Sequence, residues 1–112
     1  IGYDPWHISD ELLAAFEQEF GRNVMVKIRQ GVLTLSQPMK DLKAEFQEKK
    51  IVYNNNPIDK WCLINTEEKK DVNGNVQPVK SDERARRIDG TAALLDAYVV
   101  YCNKRDEFES LI

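Results

Sequence analysis

Asn23-Val24-Met25-Val26-Lys27-Ile28-Arg29 places a β-branched apolar residue at every second position, and its reading decides the fold. Val24, Val26 and Ile28 fall on one side and Met25, Lys27 and Arg29 on the other, which is the period-two signature of a half-buried strand. The segment before it has a different period. Ser9 is placed to cap a helix, Asp10 and Glu11 suit its positive end, and Gly21 suits its stop. Leu12, Phe16 and Phe20 recur every fourth residue, so they are expected to form its buried face. Ahead of that helix, Ile1-Gly2-Tyr3 reads as the end of a strand, stopped by Asp4-Pro5 because proline removes a ladder donor. Strand, helix, strand is the grammar of an α/β fold with some parallel pairing.

The alternation continues downstream. Gln30-Gly31 breaks the second strand, and Ser36 is expected to start a helix with Pro38 in its first turn, where a missing N–H costs little. Met39, Leu42 and Phe46 give that helix its core stripe, while Lys40, Lys43, Lys49 and Lys50 face water. A short strand is expected over Ile51 to Tyr53. Asn56 is then well placed to cap a helix running to about Leu63, with Ile58, Trp61 and Cys62 inward. Asn73-Gly74 marks a hairpin near 67–79, between Glu67–Asp71 and Val76–Val79. Ile88, Ala92, Leu95, Val99 and Cys102 define a long amphipathic helix to about Lys104, beyond which a charged tail, 105–112, is expected to fray.

Composition bounds the function. The 112 residues suffice for one modest core, and 42% hydrophobic with 31% charged residues is ordinary for a globular domain. No apolar run approaches the ~20 residues a bilayer span requires. No basic stretch followed by an apolar one opens the chain, so no secretory signal is expected. The chain opens at Ile1, directly on a strand, and is read as continuing from sequence upstream. Cys62 and Cys102 are expected to be buried free thiols, and one histidine without a paired-cysteine motif argues against structural zinc. A net charge of −3 does not advertise nucleic-acid binding, so any such contact must come from a local basic patch. No GxxxxGK[ST] loop is present, which excludes ATP hydrolysis by that route.

The chemistry-bearing residues are carboxylates. Asp4 lies at a strand end, where open α/β sheets present reactive groups, and it is equally compatible with a turn-forming Asp before proline. Asp89 begins the last helix; it can serve a site or simply complement the helix dipole. Asp96, seven residues on, shares nearly the same face and sits among apolar neighbours, so it needs a partner, a metal or an edge to solvent. Hard oxygen ligands from separate elements suit Mg²⁺ or Mn²⁺, and two such ions can cleave a phosphodiester. His7, beside Trp6 in a loop, suits packing or ligand contact better than base catalysis. Lys80, Arg84, Arg86 and Arg87 place four cations within eight residues, able either to hold a phosphate backbone or to pair with Asp82 and Glu83 in a solvated connector. Trp6 and Trp61 are expected in the core rather than stacked on bases.

Several stretches, in order, resemble one family: Gly2-Tyr3-Asp4-Pro5-Trp6; Arg29-Gln30-Gly31 with Leu33-Thr34-Leu35-Ser36; Asn56-Pro57 with Trp61 and Asn65; Asp71 with Asn73-Gly74-Asn75 and Pro78-Val79-Lys80; Arg87-Ile88-Asp89-Gly90 with Ala92-Ala93-Leu94. The set is similar to the nuclease domain of phage large terminase subunits and covers nearly the whole chain. The resemblance implies an α/β, ribonuclease H-like fold, here truncated at its N-terminus, with a mixed sheet and flanking helices, so that 1–112 is the C-terminal part of one nuclease domain. It implies a two-metal endonuclease that cuts concatemeric double-stranded phage DNA during genome packaging, in the host bacterial cytoplasm. Portal and small terminase subunit are the implied partners, and no membrane is involved. Three acidic residues bind Mg²⁺ or Mn²⁺ in that family. Asp4 matches the second and Asp89 the third, both catalytic, and the first is expected upstream of Ile1, as is the packaging ATPase. Asp96 carries over only as a residue supporting the ligands, and Lys80, Arg84, Arg86 and Arg87 as DNA contacts. The isolated fragment is expected to cut weakly or not at all. Asn54-Asn55-Asn56-Pro57 departs from the glycine often found before this Asn-Pro. The alternative reading is a non-catalytic α/β interaction module of a packaging or assembly complex.

Overall fold

The computed structural model describes residues 1–52, 55–80 and 87–111. Strand β1 (Gly2–Tyr3) runs parallel to β2 (Val26–Lys27), Gly2 opposite Val26 and Tyr3 opposite Lys27. The Ile1 and Tyr3 carbonyls accept the Val26 and Ile28 N–H groups at 2.8 and 2.9 Å. A parallel pair needs a long crossover, and helix α1 (Asp10–Phe20) supplies it. Ser9 caps α1 by accepting the Leu12 N–H, as its position suggests. The alternating stretch is only partly extended, because Arg22–Val24 forms a single 3₁₀ turn. Ile28, 2% exposed, carries its apolar side into the core.

Helix α2 (Val32–Gln47) starts earlier than expected, with Gly31 as its N-cap and Pro38 inside it rather than in its first turn. An interior proline removes one helical hydrogen bond. The extra turn buries Leu35 and places the Ser36 hydroxyl to accept the Val76 N–H at 3.0 Å. Helix α3 (Pro57–Asn65) is capped by Asn56, whose side chain accepts from Ile58 N and Asp59 N. The antiparallel hairpin of β3 (Thr66–Lys70) and β4 (Val76–Lys80) turns through Gly74, at φ 78°, a conformation that suits glycine. Asp71 organises that turn. Its carboxylate accepts the Asn75 side-chain amide and the Asn73 and Asn75 N–H groups, and these bonds hold it below the usual carboxylate range.

Helix α4 (Asp89–Asn103) is the spine. Ile28, Leu35, Leu42, Leu95, Tyr98 and Val99 form one core between it, β2 and α2, with Met39, Phe46 and Leu94 packed around it. The expected single mixed sheet is not formed. The described strands make two separate two-stranded sheets, because the β3–β4 hairpin lies against α2 instead of extending the β1–β2 pair. Ile51 and Val52 are not in a strand, and Tyr53 and Asn54 lie outside the described residues.

Four burial expectations are corrected. Leu12, Phe16 and Phe20 of α1 are 49, 37 and 50% exposed, so no described element covers that stripe. On α3, Ile58 and Trp61 are exposed and only Cys62 points inward. Trp6 is 79% exposed, and neither tryptophan is a core residue. Cys102 lies at the surface; both thiols are free. The charged tail is not frayed over Arg105–Glu109, which forms α5. Arg105 bonds Glu109 at 2.9 Å and lies over the Tyr101 ring, which Phe108 meets edge-on. No described helix is long and apolar enough to cross a membrane.

One close approach ties fold to site. A Cβ on Gly2 would lie 2.8 Å from the Asp96 carbonyl oxygen and 3.0 Å from Val100 Cγ2, so β1 lies directly on the α4 backbone. Gly2→Ala must therefore push β1 away from α4. We expect a loss of about 1–3 kcal/mol, read as a lower urea midpoint; an unchanged midpoint would show the contact to be loose.

Candidate metal centre

Asp4 leaves the carboxyl end of β1 and is held by its own loop. Its Oδ1 accepts the Trp6 N–H at 2.9 Å, and its Oδ2 lies 2.6 Å from His7 Nδ1. The ring of His7 is 83% exposed, so this histidine orients Asp4 from the solvent side. Because β1 packs on α4 at Asp96, the strand end that carries Asp4 lies near enough for its charge to act on that residue. Asp96 is 8% exposed, and its carboxyl is pushed above the usual range by burial and by the negative charge of Asp4. Gln30, just past β2, opposes that shift. Its Nε2 donates to Asp96 Oδ1 and to the Ile28 carbonyl, each at 3.0 Å. Thus β1, β2 and α4 contribute one residue each to a half-buried acidic centre.

Asp89 is exposed at the first position of α4. Seven residues of helix set it about 10 Å from Asp96 along the axis and within ~20° of the same face. The start of α4 is fixed from α3: buried Asn65 donates to the Arg87 carbonyl at 3.0 Å, and Asp59 and Cys62 pack against Gly90. Asp96 is a carboxylate on which the charge of Asp4 acts. Among the described residues no three His, Cys, Asp or Glu side chains gather as a metal-holding group. Lys80 and Arg87 are both exposed; Arg84 and Arg86 lie outside the described residues.

One feature escaped the sequence reading. Gln30 reads there as a strand breaker, although its position three residues past β2 lets its side chain reach Asp96. Asp96, expected as a supporting residue, is buried and feels the charge of Asp4. Carboxylate oxygens are the hard donors a divalent ion prefers, and a cation at Asp4 would offset the charge that helps push Asp96 up.

Asp96 also carries a pH signature. Unfolded, its carboxyl titrates near 3.8; folded, it holds its proton to higher pH. Between the two values the folded state binds more protons than the unfolded, so stability falls as pH rises through that window. Asp96→Asn keeps the oxygen that Gln30 needs and removes the charge. In a chelator at pH 7 its Tm should exceed that of the parent by a few degrees, and near pH ~3 the gain should vanish. A lower Tm at pH 7 would contradict this.

The comparisons agree with the residue pattern. The family described as terminase large subunit, endonuclease domain, matches residues 1–104. Protein YmfN of Escherichia coli (strain K12) is 37% identical over 75 residues, which cover 64% of this chain and 16% of that protein. No solved structure matches. With nearly the full chain matched, this polypeptide belongs to the terminase large subunit endonuclease-domain family.

Proposed function

We propose that the chain is part of a metal-dependent endonuclease that cuts concatemeric double-stranded phage DNA during genome packaging. The observation that carries this reading is that β1, at Gly2 two residues before Asp4, rests on α4 at Asp96, on the helix that begins with Asp89. Asp4 and Asp89 would hold Mg²⁺ or Mn²⁺, with further ligands from elsewhere in a ribonuclease H-like domain of which 1–112 is the C-terminal part. Bound metal supplies an activated water and stabilises the leaving oxygen. Asp96, steadied by Gln30, would support the placement of Asp4. His7 holds the other side of Asp4. Lys80 and Arg87, with Arg84 and Arg86, would follow the phosphate backbone. Portal and small terminase subunit are the proposed partners of the whole protein, and the host bacterial cytoplasm its place of work.

The test is a plasmid-cutting assay with the full-length protein. Cutting should require Mn²⁺ or Mg²⁺ and stop in chelator; cutting that persists in chelator would refute a metal-dependent mechanism. A second reading, a non-catalytic interaction module of a packaging complex, is favoured by one observation. The apolar stripe of α1 at Leu12, Phe16 and Phe20 is left exposed.

A further inference from the structure

A cleft of about 500 Å³ opens beside Asp4, lined by Pro5, Trp6, Lys27, Arg29 and Gln30. Three properties set it apart. Lys27 and Arg29 flank buried Ile28, so both leave the core on the outward side. Neither forms an ion pair with any described residue, although the chain as a whole carries a net charge of −3. Trp6, 79% exposed, lines the same space. A large aromatic left in water next to two free cations is a costly surface for a folded domain to keep. It is also the pairing that binds a nucleic-acid strand, with cations for phosphates and a ring for a base or sugar. Gln30 joins the cleft to the acidic centre, since the same side chain that lines it holds Asp96.

We infer that the Trp6–Lys27–Arg29 cleft is a DNA-strand subsite that seats the substrate immediately beside Asp4. The inference rests on the nuclease reading for its substrate, but not for its geometry. An acidic cluster alone would repel a polyanion, and this cleft supplies the attraction on the β1–β2 side of it. The cations of 80–87 lie elsewhere in the sequence, so the subsite is a separate set of residues. Sequence pattern alone hid it, because Lys27 and Arg29 read as the solvent face of an ordinary strand.

The test is DNA binding by the full-length protein in chelator, with a 30-base-pair duplex of arbitrary sequence as the probe. In a Trp61→Phe background, where Trp6 is the remaining tryptophan of this chain, duplex should quench the part of the emission that a further Trp6→Phe change removes. Lys27→Gln with Arg29→Gln should weaken binding and lower the slope of log Kd against log salt by about 2, one unit per phosphate contact. Trp6→Ala should weaken binding roughly 5- to 100-fold, and Trp6→Phe should restore most of it. Because Trp6 is exposed, unchanged thermal unfolding in Trp6→Ala separates lost contact from lost fold. Emission unmoved at saturation, or a salt slope unchanged in the double variant, overturns the subsite, as does a parent that fails to bind. Tight cleft-dependent binding without cutting would sink the nuclease reading and leave the subsite standing. Metal-dependent cutting with binding untouched by the cleft variants would do the reverse.

Discussion

Asp89→Ala in the full-length protein is expected to lower Mn²⁺-dependent cutting by more than about 100-fold, beyond what loss of an outer partner of a metal ligand costs. Asp4→Ala should do the same. Asp89 is exposed at the head of α4, and its removal leaves the core of Leu95, Tyr98 and Val99 untouched. A loss of cutting with normal thermal unfolding would therefore report chemistry rather than collapse. Asp4 is more entangled, because its carboxylate also organises Trp6 and His7. Asp4→Asn is the cleaner variant, since it keeps an oxygen for the Trp6 N–H. Full cutting by Asp89→Ala would remove it from the metal site.

The largest expected effect on stability is at Leu95. It is 2% exposed and sits where Ile28, Leu42 and Val99 meet. Leu95→Ala should cost about 2–5 kcal/mol, a large share of the roughly 5–15 kcal/mol that a domain of this kind holds. Its neighbour Asp96 would loosen with it, so activity should fall too. Leu12→Ala is the control: at 49% exposure on α1 it should cost about 0.5 kcal/mol or less. Urea unfolding followed by circular dichroism measures both. Equal losses at the two positions would mean that α1 is covered and Leu95 is not central.

Local signals were legible where local physics decides. Ser9, Asn56 and Asn73-Gly74 each act through atoms within a few residues, and each cap or turn forms as the sequence indicates. The parallel β1–β2 pair was legible for the same reason, since strand–helix–strand leaves few alternatives. Placement in three dimensions was less legible. Periodicity shows that Leu12, Phe16 and Phe20 form a stripe, but not that any element covers it. Helix α2 begins a turn early because burial of Leu35 and the Ser36–Val76 bond, both tertiary, override a proline rule. At the site, Asp4 and Asp89 stand out by their places at a strand end and a helix start, and the motif resemblance adds their expected role as metal ligands. The charge of Asp4 acts on Asp96, 92 positions away, and that depends on how closely Gly2 lets β1 approach α4.

The most direct test of the account is where a metal ion binds. A crystal of the complete nuclease domain grown or soaked with Mn²⁺ should show anomalous density in contact with the carboxylates of both Asp4 and Asp89, with Asp96 behind Asp4 and bonded to Gln30. Density that touches neither residue, or Asp4 and Asp89 facing away from each other with no shared ion, would contradict it.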